Sequence, residues 1–292
     1  MHVHYLDVWE YIASQIAANM RIPFSLIVTT TQDAELIVPP ETDYLERFKV
    51  EAVENRGRDI LPFLKALDAA EPFDIGLKLH TKKSPHRSDG EAWGRAMVDS
   101  LLGKPETVDD VLQAMQANPH VGIITAEGMT LRLGYRVGTN QPLMRDILDA
   151  LSIALPAGAI REGWIAAGSM FWFRPQAVSG LLTPVTQRMF TAEQGKLDGT
   201  AAHALERLFV LIAGQRGYTS FPVNLLEELS GVADQARIDR MLNETQVGES
   251  VFVIEPVRPA AFIAKWFPGV MGLYAKLPEP VRKVVARCLK AR

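Results

Sequence analysis

Short apolar runs rich in branched residues alternate with stretches of helical periodicity over residues 2–223, and this alternation predicts an α/β fold. Residues 2–6 are a short strand candidate. Residues 8–20 follow with apolar positions at helical spacing and Asp7 at the expected N-cap. The run Phe24-Ser25-Leu26-Ile27-Val28-Thr29-Thr30-Thr31 reads as a buried strand, and residues 48–53 as another. Residues 60–70 form a helix in which Pro62 must occupy the first turn. Residues 73–79 are the next strand, 90–102 and 107–117 are helices, and 121–125 is a further strand. A helix over 144–155, a strand pair or single strand within 164–174, a helix over 199–215 ended by Gly217, and a last strand at 218–223 complete the pattern. The expected architecture is an open, mostly parallel sheet flanked by helices, occupying residues 1–225. Residues 226–292 are expected to be a separate helical, basic extension.

Composition narrows the classes. The 292 residues are 48% hydrophobic and 22% charged, which suits a globular chain with a substantial core. A net charge of -3 argues against broad nucleic-acid binding. The single cysteine, Cys288, excludes an internal disulfide or a multi-cysteine metal site and fits a reducing compartment. The N-terminus lacks the basic and apolar regions of a secretory signal. No apolar run reaches the roughly 18 residues that span a bilayer, so a cytoplasmic location is expected. Residues 260–292 carry seven Lys/Arg against one acid, a net +6 that leaves -9 for the rest. Such a tail suits docking on an anionic membrane surface, with a helix pair packed on the body as the alternative.

The candidate chemistry clusters between residues 55 and 84. Asn55-Arg56-Gly57-Arg58-Asp59 places two guanidiniums around a glycine. Arg56 or Arg58 suits a phosphate and Asp59 a ribose hydroxyl or base edge, unless the pentapeptide is only a surface turn. Lys78, His80 and Lys82 alternate out of a buried strand, so they share one face, with Thr81 and Lys83 between and beyond them. Removing such a set from water without an anion is expensive, and strand ends are where open α/β sheets bind ligands; exposed to solvent, the same residues mean little. Asp74 stands one pleat further in as a possible partner of Lys78. The loop has no Asp-x-Asp pair, so no cofactor is expected, the need for a divalent metal stays open, and lysines take over the neutralisation of a diphosphate.

Two later segments add candidates. Gly168 and Ser169 open an aromatic stretch in which Trp172 and Phe173 offer a sugar-stacking platform, although core aromatics are the commoner outcome. Asp198 fits either an N-cap or a general base at a loop-to-helix junction. His203 and Glu206, at i and i+3, share a helical face and can meet each other or the cationic loop.

As an ordered set these segments resemble the rhamnan synthesis protein F family of bacterial polysaccharide assembly. The residues that carry the resemblance are Asn55 to Ile60 with Pro62-Phe63-Leu64, and Lys78 to Ser84. Downstream they are joined by His86-Arg87, Asp89-Gly90 and Trp93, by Ala167 to Trp172, and by Glu193 through Asp198-Gly199-Thr200 to Glu206-Arg207. The resemblance implies a GT-A-like, Rossmann-type nucleotide-sugar fold with residues 2–6 and 24–31 as its first strands. It implies that Asn55–Asp59 lies by the nucleotide, that the segment after Gly168 floors the sugar and acceptor site, and that Asp198 stands in the region of the catalytic base, with Glu193 in reserve. The substrate-binding set is then Asn55, Arg56, Arg58, Asp59, Lys78, His80, Thr81, Lys82, Lys83, Gly168, Ser169, Trp172 and His203. The expected activity is an inverting transfer of rhamnose or a related deoxyhexose from a nucleotide-diphosphate sugar, dTDP-rhamnose by the family's name. The acceptor is a glycan or a lipid-linked glycan, and cell-wall or lipopolysaccharide synthesis is the setting. A non-catalytic nucleotide-sugar- or glycan-binding subunit of a synthase complex is the alternative. A phosphate-transferring enzyme would need metal ligands that the sequence does not offer.

Overall fold

A computed structural model describes residues 1–83, 90–156, 158–192 and 198–244. The elements, in chain order, begin with β1 (His2–Val3), α1 (Leu6–Asn19), β2 (Phe24–Thr30), β3 (Leu45–Ala52), α2 (Ile60–Asp68) and β4 (Gly76–Lys78). Then come α3 (Gly90–Leu102), α4 (Pro105–Ala117), β5 (Val121–Thr125), β6 (Thr130–Arg132), α5 (Gln141–Ala150), α6 (Ala159–Glu162), β7 (Trp164–Ala166) and β8 (Phe171–Phe173). The series ends with α7 (Pro175–Val178), α8 (Pro184–Met189), α9 (Ala201–Glu206), α10 (Phe209–Gln215), β9 (Thr219–Pro222), α11 (Leu226–Leu229) and α12 (Gln235–Glu244).

The strands form a parallel sheet β1-β2-β3, a mixed sheet β4-β8-β5-β9 and an antiparallel pair β6-β7. A single parallel bridge, His2 to His80, joins the first two edge to edge: the His2 amide donates to the Leu79 carbonyl and the Thr81 amide to that of His2, each at 3.0 Å. The resulting order is β3-β2-β1-β4-β8-β5-β9. It is less parallel than expected, because β8 runs antiparallel to both its neighbours.

Local sequence accounts for most of this. In α1 the buried residues Val8, Trp9, Ile12 and Ile16 recur at helical spacing and form one stripe. In β5 all five residues are buried, as a strand with neighbours on both edges and helices on its faces requires. The helix expected over 199–215 breaks into α9 and α10 after Glu206, where the Leu208 amide bonds the Leu205 carbonyl in a tightened turn. Neither expected acidic N-cap is one. Tyr5 precedes α1 with no side-chain cap, and Thr200, not Asp198, caps α9 by accepting from the His203 amide. Leu229, Ile238 and Leu242 of α11 and α12 are fully buried in the common core. Among the described residues, no helix is long and apolar enough to cross a membrane.

Candidate functional site

The turn after β3 delivers Asp59 to the sheet. Gly57 and Arg58 both take left-handed conformations, φ +70° and +55°. A Cβ at Gly57 would stand 2.6 Å from Leu61 Cβ and 2.7 Å from the Phe190 ring, so only glycine fits. Arg56 is anchored to the chain itself, its guanidinium donating twice to the Phe190 carbonyl, at 2.9 and 2.6 Å. Asn55 is exposed. Asp59 precedes α2 without capping it; its carboxylate turns instead to β4.

There Lys78, 2% exposed, meets three oxygens. Its Nζ donates to Asp59 Oδ2 at 2.5 Å, to the Ser169 carbonyl at 2.7 Å and to Ser169 Oγ at 2.9 Å. The rings of Phe63 and Phe171 stand 5.2 and 5.8 Å from the same ammonium. Ser169, like Arg58, is left-handed, with φ +56° beside Gly168 at +79°. Lys78 therefore ties two strained turns together across the sheet. It is paired with Asp59, and Asp74 lies exposed.

His80 Nδ1 lies 3.4 Å from Asp59 Oδ2. Burial pushes the His80 imidazole well below its ordinary pKa, against the pull of Asp59. Burial alone would raise the Asp59 carboxyl, but the charges of His80 and Lys78, with the Lys78 hydrogen bond, hold it well below the carboxylate range. These two shifts conflict over His80. Its burial beside a lysine favours the neutral imidazole, so Lys78 is the cation that keeps Asp59 ionised. His2, which the sequence did not flag, closes this side: its Nδ1 meets Thr29 Oγ1 at 3.0 Å, and burial lowers its pKa to about 4.

Lys82 lies with its ammonium 4.6 Å from the Trp93 ring centre. Burial lowers its pKa; Glu206 and Asp59 oppose this, and Arg58 and Lys78 add to it. Two cations and two carboxylates thus act on Lys82. Glu206 bears on Lys82 of the cationic loop through its charge. Lys83 does not join the group, since its ammonium pairs with Asp7 at 2.5 Å, which raises its pKa, beside the Tyr5 ring. Thr81 turns to the start of α1, its Oγ1 accepting from the amides of His4 and Tyr5.

The aromatic platform is corrected by burial. Trp172 is in the core, its indole N–H donating to the Leu101 carbonyl at 3.0 Å, and Phe173 packs edge-on against Phe63 and Phe73. Strand alternation sends Phe171 and Phe173 to one face and Trp172 to the other, so they offer no shared flat surface.

Asp198 is half-buried in a second polar knot. Oδ1 accepts from Asn140 Nδ2 at 2.5 Å and from Arg207 Nη2 at 3.2 Å, and Oδ2 from Thr139 Oγ1 at 3.3 Å. His203, whose carbonyl accepts from Arg207 at 2.7 Å, feels both knots through their charges: burial lowers its pKa to about 4, Arg58 and Arg207 add to this, and Asp198 and Asp59 oppose it. Glu193 and the basic tail lie outside the described residues. Among the described residues, no three His, Cys, Asp or Glu side chains are grouped to hold a metal ion. Two surface grooves of about 380 and 470 Å³ lie elsewhere, along α4 and α11, and none of these site residues lines them.

A mixed α/β sheet with a buried acid–base cluster at the strand ends is the class these features define. The chain belongs to the rhamnan synthesis protein F family, whose model matches residues 1–218. It is 37% and 36% identical, over 240 residues, to "Uncharacterized protein WxcX" of two strains of Xanthomonas campestris pv. campestris. The alignment covers 80% of this chain and 33% of each relative, so the chain spans about a third of the length of the curated relatives it matches. No solved structure matches. Membership places the chain in rhamnan and polysaccharide synthesis.

Proposed function

We infer that this chain carries a GT-A-like glycosyltransferase site that binds a nucleotide-diphosphate sugar and transfers rhamnose or a related deoxyhexose. The acceptor is a glycan or a lipid-linked glycan. One observation carries the reading: among the described residues, Arg58, Lys78, Asp59 and Glu206 all act electrostatically on Lys82, just beyond the carboxyl end of β4. Cationic side chains gathered in a partly buried setting suit an anion, and the carboxyl edge is where open α/β sheets bind one. Lys78 serves as the brace, and Arg58 and Lys82 bear on the diphosphate, where leaving-group charge grows in the transition state. Gly168 and Ser169 give backbone to the sugar side. Asp198, held through Oδ1, presents Oδ2 as the base for an acceptor hydroxyl.

Both oxygens of Asp198 already accept hydrogen bonds, and that favours a second reading, a subunit that binds the same nucleotide sugar without turnover. Release of nucleoside diphosphate from dTDP-rhamnose and related donors, with and without a glycan acceptor, separates the two. Transfer should vanish in Asp198→Asn while nucleoside-diphosphate binding persists. Full transfer by that variant removes Asp198 from the mechanism, and a wild-type chain that binds no nucleoside diphosphate defeats both readings.

A further inference from the structure

His203 is held in a way that its helix does not require. Its amide donates to Thr200 Oγ1, the N-cap of α9, and its Nδ1 meets the same hydroxyl at 2.8 Å. One residue thus starts the helix and fixes the ring. The other nitrogen, Nε2, is buried with no hydrogen-bond partner among the described residues, and the side chain's residue is only 5% exposed. A buried polar atom without a partner lowers stability, and an apolar residue of similar size would avoid that cost. The groups that act on the ring are Arg58 and Asp59 from the turn before α2, Asp198 before α9 and Arg207 after it. Arg207 donates to the His203 carbonyl at 2.7 Å and to Asp198 Oδ1 at 3.2 Å, and α9 packs against α2, the helix that follows Arg58 and Asp59, so the helix carrying the orphan nitrogen joins the proposed diphosphate contact to the proposed base.

We propose that His203 is a specificity-determining contact whose Nε2 hydrogen-bonds a hydroxyl of the sugar, so that the site distinguishes a nucleotide sugar from the bare nucleoside diphosphate. This rests on the nucleotide-sugar reading. The chemistry matches: a neutral imidazole supplies one directional hydrogen bond and no charge, which suits a hydroxyl better than a phosphate. Arg58 supplies the charge.

Calorimetric titration of dTDP and dTDP-rhamnose into the full chain, with UDP, GDP and their sugars as a panel, tests it. In His203→Leu the affinity for the nucleoside diphosphate should hold within about twofold, while that for its sugar falls by about tenfold, the worth of one hydrogen bond. His203→Gln, which keeps an amide nitrogen near the Nε2 position, should recover most of the loss and remains informative if the leucine variant fails to fold. The melting temperature of His203→Leu should equal or exceed that of the wild type. Equal loss for both ligands, no loss for either, or a glutamine variant as poor as leucine overturns the proposal. A wild-type chain that binds the diphosphate but gains nothing from the sugar overturns it too. Binding of neither ligand by the wild type defeats the nucleotide reading itself.

Discussion

Substituting Lys78 by Met keeps the length of the side chain and deletes its ammonium. Asp59, whose side chain is 15% exposed, is left ionised beside a neutral His80, and both Ser169 oxygens lose their donor. Removing one member of a buried pair costs about 3–5 kcal/mol, and the residual solvent at Asp59 favours the lower end, about 3 kcal/mol. One kcal/mol shifts the melting temperature of a domain this large by roughly 2–4 °C, so a fall of about 6–12 °C is expected. Adding Asp59→Leu removes the stranded charge and should restore most of the loss, because replacing both members by apolar groups is close to neutral. Urea and thermal denaturation of the wild type, both single variants and the double variant at pH 7 give the coupling energy directly. A coupling below about 1 kcal/mol, or a Lys78→Met melting point within about 2 °C of the wild type, refutes the buried brace.

Stability should fall on mild acidification: burial keeps His2, His80 and His203 neutral, with His2 and His203 titrating near 4. These folded pKa values lie below the unfolded one, so the stabilisation is complete above about pH 6.5 and declines towards pH 4, by up to about 1.4 kcal/mol per pH unit for each histidine. Asp59 stays ionised throughout that window and contributes its own loss only below the usual carboxylate range; a flat urea midpoint between pH 7.5 and 5 would contradict this. Arg58→Gly relieves a left-handed backbone, so melting should hold or rise while nucleoside-diphosphate binding weakens. Gly57→Ala drives a methyl into Leu61 and Phe190 at positive φ and should cost roughly 1–3 kcal/mol. Transfer measured after treatment with a chelator should persist, since Arg58 and Lys82 carry the neutralisation in the proposed mechanism; absolute dependence on added Mn²⁺ would defeat that role.

The strands and helices were legible from periodicity, and so was the convergence of Lys78 and His80, because a strand puts alternate residues on one face. Their partner was not. Asp59 lies 19 residues before Lys78, and only the tertiary fold brings the carboxylate to the ammonium. The sequence therefore suggested a free cationic grip where the fold makes an internal brace. Trp172 was misjudged for a different reason: the alternation in Phe171-Trp172-Phe173 already implied that the indole and the two phenyl rings face opposite ways. Asn140 and Thr139 around Asp198 carried no local signal, since they come from the segment before α5, far from Asp198 in the sequence. His2 did leave a trace, as a polar residue inside an otherwise apolar first strand.

The seam between β1 and β4 is one rung wide, carried by the amides of His2 and Thr81. Asp59 enters from the β3 side of that gap, while Lys78 and Ser169 belong to the other leaf. In the proposed function, a ligand held between Arg58 and His203 should stiffen this joint. The two amides become its gauge: their protons exchange with solvent more slowly when the ligand is bound.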